Sequence, residues 1–278
     1  MRHEWTRRLA TPALRVLMAR EIWHLLVYDR FSLAWWDGRG EPGAYQRCPD
    51  LRLVALSDTG ELIVTVDAQN CVHALDGDFQ PLWQQPWPEP IHALALAPLG
   101  QRLALADDKA VSVLSPRGER LWQCATPRAL HHLAWVPETL ELVGAADLGL
   151  ICGLDPQGML RWQEGLMSLL GSLAVRGDGQ ETLLACFSDG VRLRSRDRPG
   201  GAILPGSSPC RALAASYTAE VVVTLDLQAQ RLERLERCTG SKQYLSCNAP
   251  ITAFVTDAAG QAVVLTTKSG ELSLWQAF

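Results

Sequence analysis

The side chains best suited to chemistry in this sequence recur at long, regular intervals and do not sit in compact motifs. Arg52, His92, His131 and Arg211 share one recurring position, which Gly171 and Thr252 fill elsewhere. Two guanidinium and two imidazole groups around one opening would favour an acidic peptide, a carboxylate or a phosphate. The plainer reading is that they are solvated strand starts. A second set is Asp29, Asp67, Asp107, Asp147 and Asp226, each closing an apolar run. A ring of carboxylates suggests a cation site, but an Asp just before a turn usually hydrogen-bonds its own turn backbone. The spacing also holds neighbouring members too far apart to share one ion, so we read them as turn residues. His131-His132 resembles half a metal site, yet extended backbone sends adjacent rings to opposite faces, which argues against it.

No metal ligand set is expected elsewhere. The eight cysteines (Cys48, Cys71, Cys124, Cys152, Cys186, Cys210, Cys238 and Cys247) are scattered, with no C-x-x-C pair. They read as buried, reduced thiols and not as disulfides or a zinc centre. There is no G-x-S-x-G, P-loop, H-E-x-x-H or Gly-rich dinucleotide loop. Arg176-Gly177-Asp178-Gly179 falls where a turn is due, so neither a phosphate loop nor an adhesion motif is assigned. We expect no catalytic residue and no cofactor.

Stepping outward, the 278 residues are 47% apolar and 20% charged, with a formal net charge of −4 and a pI near 5.9. That is ample for a sizeable core, and it offers no basic stripe for nucleic acid or anionic membrane. The apolar N-terminal stretch is cut by Arg15, Arg20, Glu21 and His24, unlike a secretory signal, and no run reaches the 18 or so apolar residues of a membrane helix. The C-terminal Phe278 reads as the end of a soluble strand, not of an outer-membrane barrel. A cytoplasmic protein is expected.

The elements that position these residues follow from one repeat. The pattern apolar-x-x-Leu-Ala-apolar appears with its fourth position at Val54, Leu94, Leu133, Leu173, Leu213 and Phe254, in steps of 39 to 41 residues. Stepping back 40 from Val54 lands on Leu14, a weaker copy, which makes seven units. Each unit continues with a turn, an apolar run ending in Asp (such as Leu62–Asp67), a third run, a Gly-containing turn and a fourth run carrying an aromatic. Runs rich in Val, Leu and Ala with little alternation suit strands packed on both faces. The stretch Gln230–Arg237 reads locally as an amphipathic helix, but the repeat register makes it a third strand. Four short antiparallel strands every 40 residues or so describe one blade of a β-propeller.

The aromatic is Trp83, Trp122 and Trp162, and the register puts Tyr45, Ile203 and Tyr244 at the equivalent places. The unit holding Ile203 also carries the Arg- and Gly-rich segment Arg192–Gly201, where the pattern fits worst. The last unit stops after three strands, and His3–Arg8, with Trp5 in the aromatic position, matches the missing fourth. Closing the ring with the N-terminal strand removes two bare sheet edges. The alanines at 55, 95, 134, 174 and 214 suit the crowded axis, with Arg15 and Val255 as the exceptions. The chain thus reads as a single all-β domain: a seven-bladed propeller of four-stranded antiparallel blades, spanning approximately 11–49, 50–89, 90–128, 129–168, 169–208, 209–249, and 250–278 with 1–10.

Over essentially its whole length the sequence resembles the broad WD-repeat and quinoprotein-type propeller class. Leu75-Asp76 with Leu82-Trp83, and Leu154-Asp155-x-x-Gly158-x-x-Arg161-Trp162, look closer to the quinoprotein repeat, while the Trp-Asp and Gly-His pairs of WD-repeat proteins are missing. WD-type rings also close through a terminal strand. Quinoprotein dehydrogenases use eight-bladed rings with cofactor residues that have no counterpart here, so the resemblance implies no activity. It implies peptide docking on the face holding the second-to-third-strand turns, where Arg52, His92, His131 and Arg211 are expected. The function expected is a non-catalytic scaffold for a protein or peptide partner, possibly acidic. The alternative is a small-molecule-binding or hydrolytic propeller using the channel, which acids or histidines along the axis would favour.

Overall fold

The computed structural model describes residues 1–196 and 198–277, so Phe278, expected to end the last strand, lies outside the described residues. The strands form seven four-stranded antiparallel sheets, each built from consecutive strands except the last. The innermost strands are Arg15–Ala19, Leu51–Leu56, Ala93–Leu96, His132–Trp135, Leu170–Val175, Cys210–Ala215 and Ile251–Thr256. Each touches the next, and the first touches the last, so the sheets stand as blades around an axis. We number the blades 1 to 7 in that order. The described residues include no helix long and apolar enough to cross a membrane.

The continuous apolar runs have a direct cause. Alternate residues of each second strand face opposite neighbours: in Leu62–Asp67, Ile63 packs toward blade 1 and Val64 toward blade 3. The core is therefore seven clusters, each lying between two adjacent blades. Ile63 and Val64 are both fully buried, a transfer worth about 1.5–3 kcal/mol for each such side chain. Arg231–Glu236 is a strand of blade 6, as the register required and against its helical look.

The N-terminal strand Arg2–Arg8 pairs antiparallel with Glu271–Gln276 on the outer edge of blade 7, with Trp5 opposite Leu274. Arg7 then reaches into blade 1, donating to the Gly40 carbonyl at 2.9 Å and pairing with Glu41. The strand thus fastens the last blade to the first.

Two expectations are corrected by the register. Blade 1 turns at Ala19–His24 as blade 2 does at Ser57–Leu62. Val16, not Leu14, therefore stands where Val54 does, and Leu17, not Arg15, replaces the alanine. Leu14 itself is exposed. The aromatic position also shifts. Trp5, Trp83 and Trp122 each donate an indole N–H to a carbonyl in the third-to-fourth-strand turn of the next blade, at Gly38, Pro116 and Pro156. Tyr45, Ile203 and Tyr244 each lie one residue out of that row and face solvent, 50% exposed or more. In blade 1 the bond comes from the third strand, Trp35 donating to Gly77 O at 2.8 Å; in blade 6 Arg234 donates instead to Gly260 O, in the first-to-second-strand turn of blade 7, at 3.0 Å. Trp162 instead lies under the Arg194 guanidinium, 3.4 Å from the ring centre, where Glu164 pairs with Arg194.

Candidate functional site

The innermost strands enclose an axial cavity of about 440 Å3, walled by Leu17, Ala55, Ala95, Ala134, Ala174, Ala214 and Val255. Small side chains here are what converging strands permit. The ionisable groups of its lining, Arg15, Arg20, Asp58 and Tyr217, stand apart from this ring of small and apolar residues.

At the far end, which carries the first-to-second-strand turns, Tyr217 of blade 6 reaches across to Asp58 of blade 2, hydroxyl to carboxylate at 3.5 Å. Arg20 of blade 1 lies 4.0 Å from that carboxylate and 5.8 Å from the Tyr217 ring centre. Burial pushes the Asp58 carboxyl above the usual range, against the pull of Arg20. This end of the channel is bridged. Arg176-Gly177-Asp178-Gly179 lies here too, in the turn of blade 5, with Arg176 paired to Asp178.

At the opposite mouth stand the residues singled out in the sequence. His92 and His131, on adjacent blades, meet edge to face with ring centres 5.0 Å apart. Arg52 is on the blade before them and donates to the Ile91 carbonyl at 2.6 Å. These three form one run. Arg211 does not join it, because blade 5 intervenes with Gly171, whose missing Cβ would sit 1.9 Å from the Arg211 carbonyl oxygen. The Arg211 side chain is exposed and, among the described residues, makes no ion pair or hydrogen bond.

The mouth is less cationic than its Arg and His residues suggest, because the second-to-third-strand turns supply carboxylates. His92 Nε2 lies 2.6 Å from Asp108, and His132 Nε2 lies 3.1 Å from Asp147. His131 Nδ1 is 3.0 Å from the other oxygen of Asp147 but is not aligned for a hydrogen bond. The two histidines therefore converge on one carboxylate, contrary to the alternation argument, because the strand begins only at His132 and His131 still belongs to the loop. Burial lowers the His132 imidazole below the usual range, against the opposing charge of Asp147. Asp29, Asp67, Asp107 and Asp226 accept backbone N–H groups of their own turns, as expected of turn residues.

The same face carries a feature that single-residue reasoning missed. Met167, Leu169, Leu148 and Phe187 are 96%, 54%, 49% and 40% exposed. Backbone bonds tie their loops together, Leu170 N to Asp147 O and Phe187 N to Leu169 O. The Phe187 ring lies over Gly171, beside Arg211. The signal in the sequence was a run of large apolar residues in segments that the repeat assigns to loops.

No family model matches the chain, and no curated protein does either. Among solved structures, the β-propeller domain of Cps50 (Swd1) from Myceliophteria thermophila aligns over 99% of both chains with a TM-score of 0.82 and 13% identity. The chain has the seven-bladed β-propeller fold. At that identity the likeness concerns architecture alone. In all, 1802 solved chains match, so the likeness by itself selects no activity, and the site must carry the argument.

Proposed function

We propose that this propeller is a non-catalytic scaffold that docks a protein segment on the channel-mouth face, the segment combining a large apolar side chain with an acidic group. The observation that carries the reading is the exposed patch of Leu148, Met167, Leu169 and Phe187 beside Arg211, which among the described residues makes no ion pair. Connected apolar groups on a soluble surface mark interaction sites, and a neighbouring free cation favours an acidic flank. Arg52, His92 and His131 extend the contact around the opening. Propellers of this shape commonly serve as interaction scaffolds. The channel wall is mostly apolar, and the one acid in its lining, Asp58, is engaged by Tyr217 and Arg20. The acidic chain and lack of a basic stripe argue against nucleic acid or membrane as partner, and eight free cysteines suit the reducing cytoplasm.

The test is quantitative capture from the native cell with a tagged chain. Arg211→Glu with Arg52→Glu should abolish recovery of the proteins held by the wild type, and so should Phe187→Asp. Arg117→Glu, on a third-to-fourth-strand turn of the opposite face, should leave recovery intact. Replacing exposed Arg211 should cost no more than about 0.5 kcal/mol of stability; losing the Arg52 hydrogen bond should cost about 1 kcal/mol. Loss of capture in Arg117→Glu alone would move the docking site to the far face.

A further inference from the structure

Asp67, Cys71 and His73 of blade 2 bring three different metal-ligating groups together. Cys71 and His73 are two apart on the third strand and so share a face, and Asp67 ends the second strand across the hairpin. Asp67 Oδ2 lies 2.8 Å from His73 Nε2, and these atoms and the Cys71 sulfur all fall within 4.8 Å of one another. All three residues are half-buried. The other carboxylate oxygen accepts the Cys71 backbone N–H at 2.9 Å, which fixes the carboxylate in place.

The other blades show that this is a local departure from the repeat. The same strand positions hold Ser32 and Ala34 in blade 1, Ala110 and Ser112 in blade 3, and Arg231 and Glu233 in blade 6. In blades 1 and 3 the free oxygen of the turn aspartate is capped by an ordinary donor, the Thr11 hydroxyl or the Trp87 indole. Among the described residues, only blade 2 sets that oxygen against an imidazole with a thiol within 4.8 Å.

We propose that Asp67 Oδ2, Cys71 Sγ and His73 Nε2 bind one zinc-class divalent cation, leaving a fourth position open. A mixed O, S, N set suits zinc, whose ligands lie about 2.0–2.3 Å away in a tetrahedron. The cation replaces the proton shared by Asp67 and His73, and their 2.8 Å contact opens to about 3.3 Å. The displaced proton passes through solvent to His73 Nδ1, so the metal-bound ring carries one proton. The Cys71 S–H proton is released to solvent as the sulfur–metal bond forms. No redox change is involved, and the site does not depend on the docking reading above.

Cobalt(II) is the probe, because its thiolate complexes absorb in the near ultraviolet. The reduced full-length chain should take up one equivalent of Co2+ with a thiolate-to-cobalt band, and one equivalent of Zn2+ should bleach it. Cys71→Ser should abolish the band, and His73→Gln should abolish or greatly weaken uptake. Cys124→Ser, a half-exposed thiol on blade 3, should bind like the wild type. Metal-free melting curves of the variants check that each is folded; should Cys71→Ser misfold, His73→Gln decides alone. Absence of the band in the wild type, its survival in Cys71→Ser, or its loss in Cys124→Ser would overturn the assignment.

Discussion

His132 is held neutral by burial at the mouth of the channel, although Asp147 faces it. The unfolded chain accepts that proton near pH 6.5, whereas the folded protein resists it to a lower pH. Between those two values the unfolded state binds more protons, so stability falls as pH is lowered through the window. Melting points taken from pH 7.5 to 5.5 should decline, and more gently in His132→Gln; identical slopes would mean that His132 does not contribute. At this scale the sequence showed which positions carry Arg and His. It could not show that Asp108 and Asp147 come from turns folded back beside them, because the pairing exists only once two strands and a turn have formed. The Asp67–Cys71–His73 cluster was hidden for the same reason: its members look unrelated until the hairpin aligns them.

Blades are joined through a tryptophan and a turn. Gly158 (φ +86°) lies against the Trp122 ring, and a Cβ there would come within 2.6 Å of it. Gly240 occupies a corresponding turn of blade 6 with φ +68° and nothing within 4 Å. Gly240→Ala should therefore cost only the left-handed backbone term, about 1 kcal/mol. Gly158→Ala adds a clash with the ring, for a total of about 2–4 kcal/mol. Urea titration of the two variants separates the contributions, and equal losses would mean that the indole does not press on the turn. The four-strand order of every blade was readable, since each blade buries the same pattern against its neighbours. The placement of Tyr45, Ile203 and Tyr244 was not, because a one-residue shift along a strand sends the side chain to the other face. In blade 1 the bond to the next turn comes from Trp35, whereas Arg234 of blade 6 bonds the first-to-second-strand turn of blade 7.

The ring as a whole depends on the N-terminal strand. Deleting Met1–Arg8 removes the partner of Glu271–Gln276, together with the Trp5 and Arg7 contacts to blade 1. The bared edge should lower the melting point markedly and promote association, seen as rising light scattering on warming; a truncated chain that melts like the wild type and stays monomeric would refute this role. Ring closure was legible because His3–Arg8 supplies the only segment in phase with the missing strand. The offset of blade 1 was not, because its second hairpin and its link to the next blade are each one residue shorter than in blade 2.

That pairing also imposes an order on synthesis. The segment that completes the ring is synthesised before blade 1, yet its partner, Glu271–Gln276, follows six whole blades. Each blade can settle on its predecessor as it emerges, but the join must wait until Glu271–Gln276 has emerged, and contacts so distant along the chain form slowly. Until then Arg2, Arg7 and Arg8 lie on an unpaired strand open to trypsin. Their protection from cleavage would serve as a clock for the moment at which the newborn chain becomes a ring.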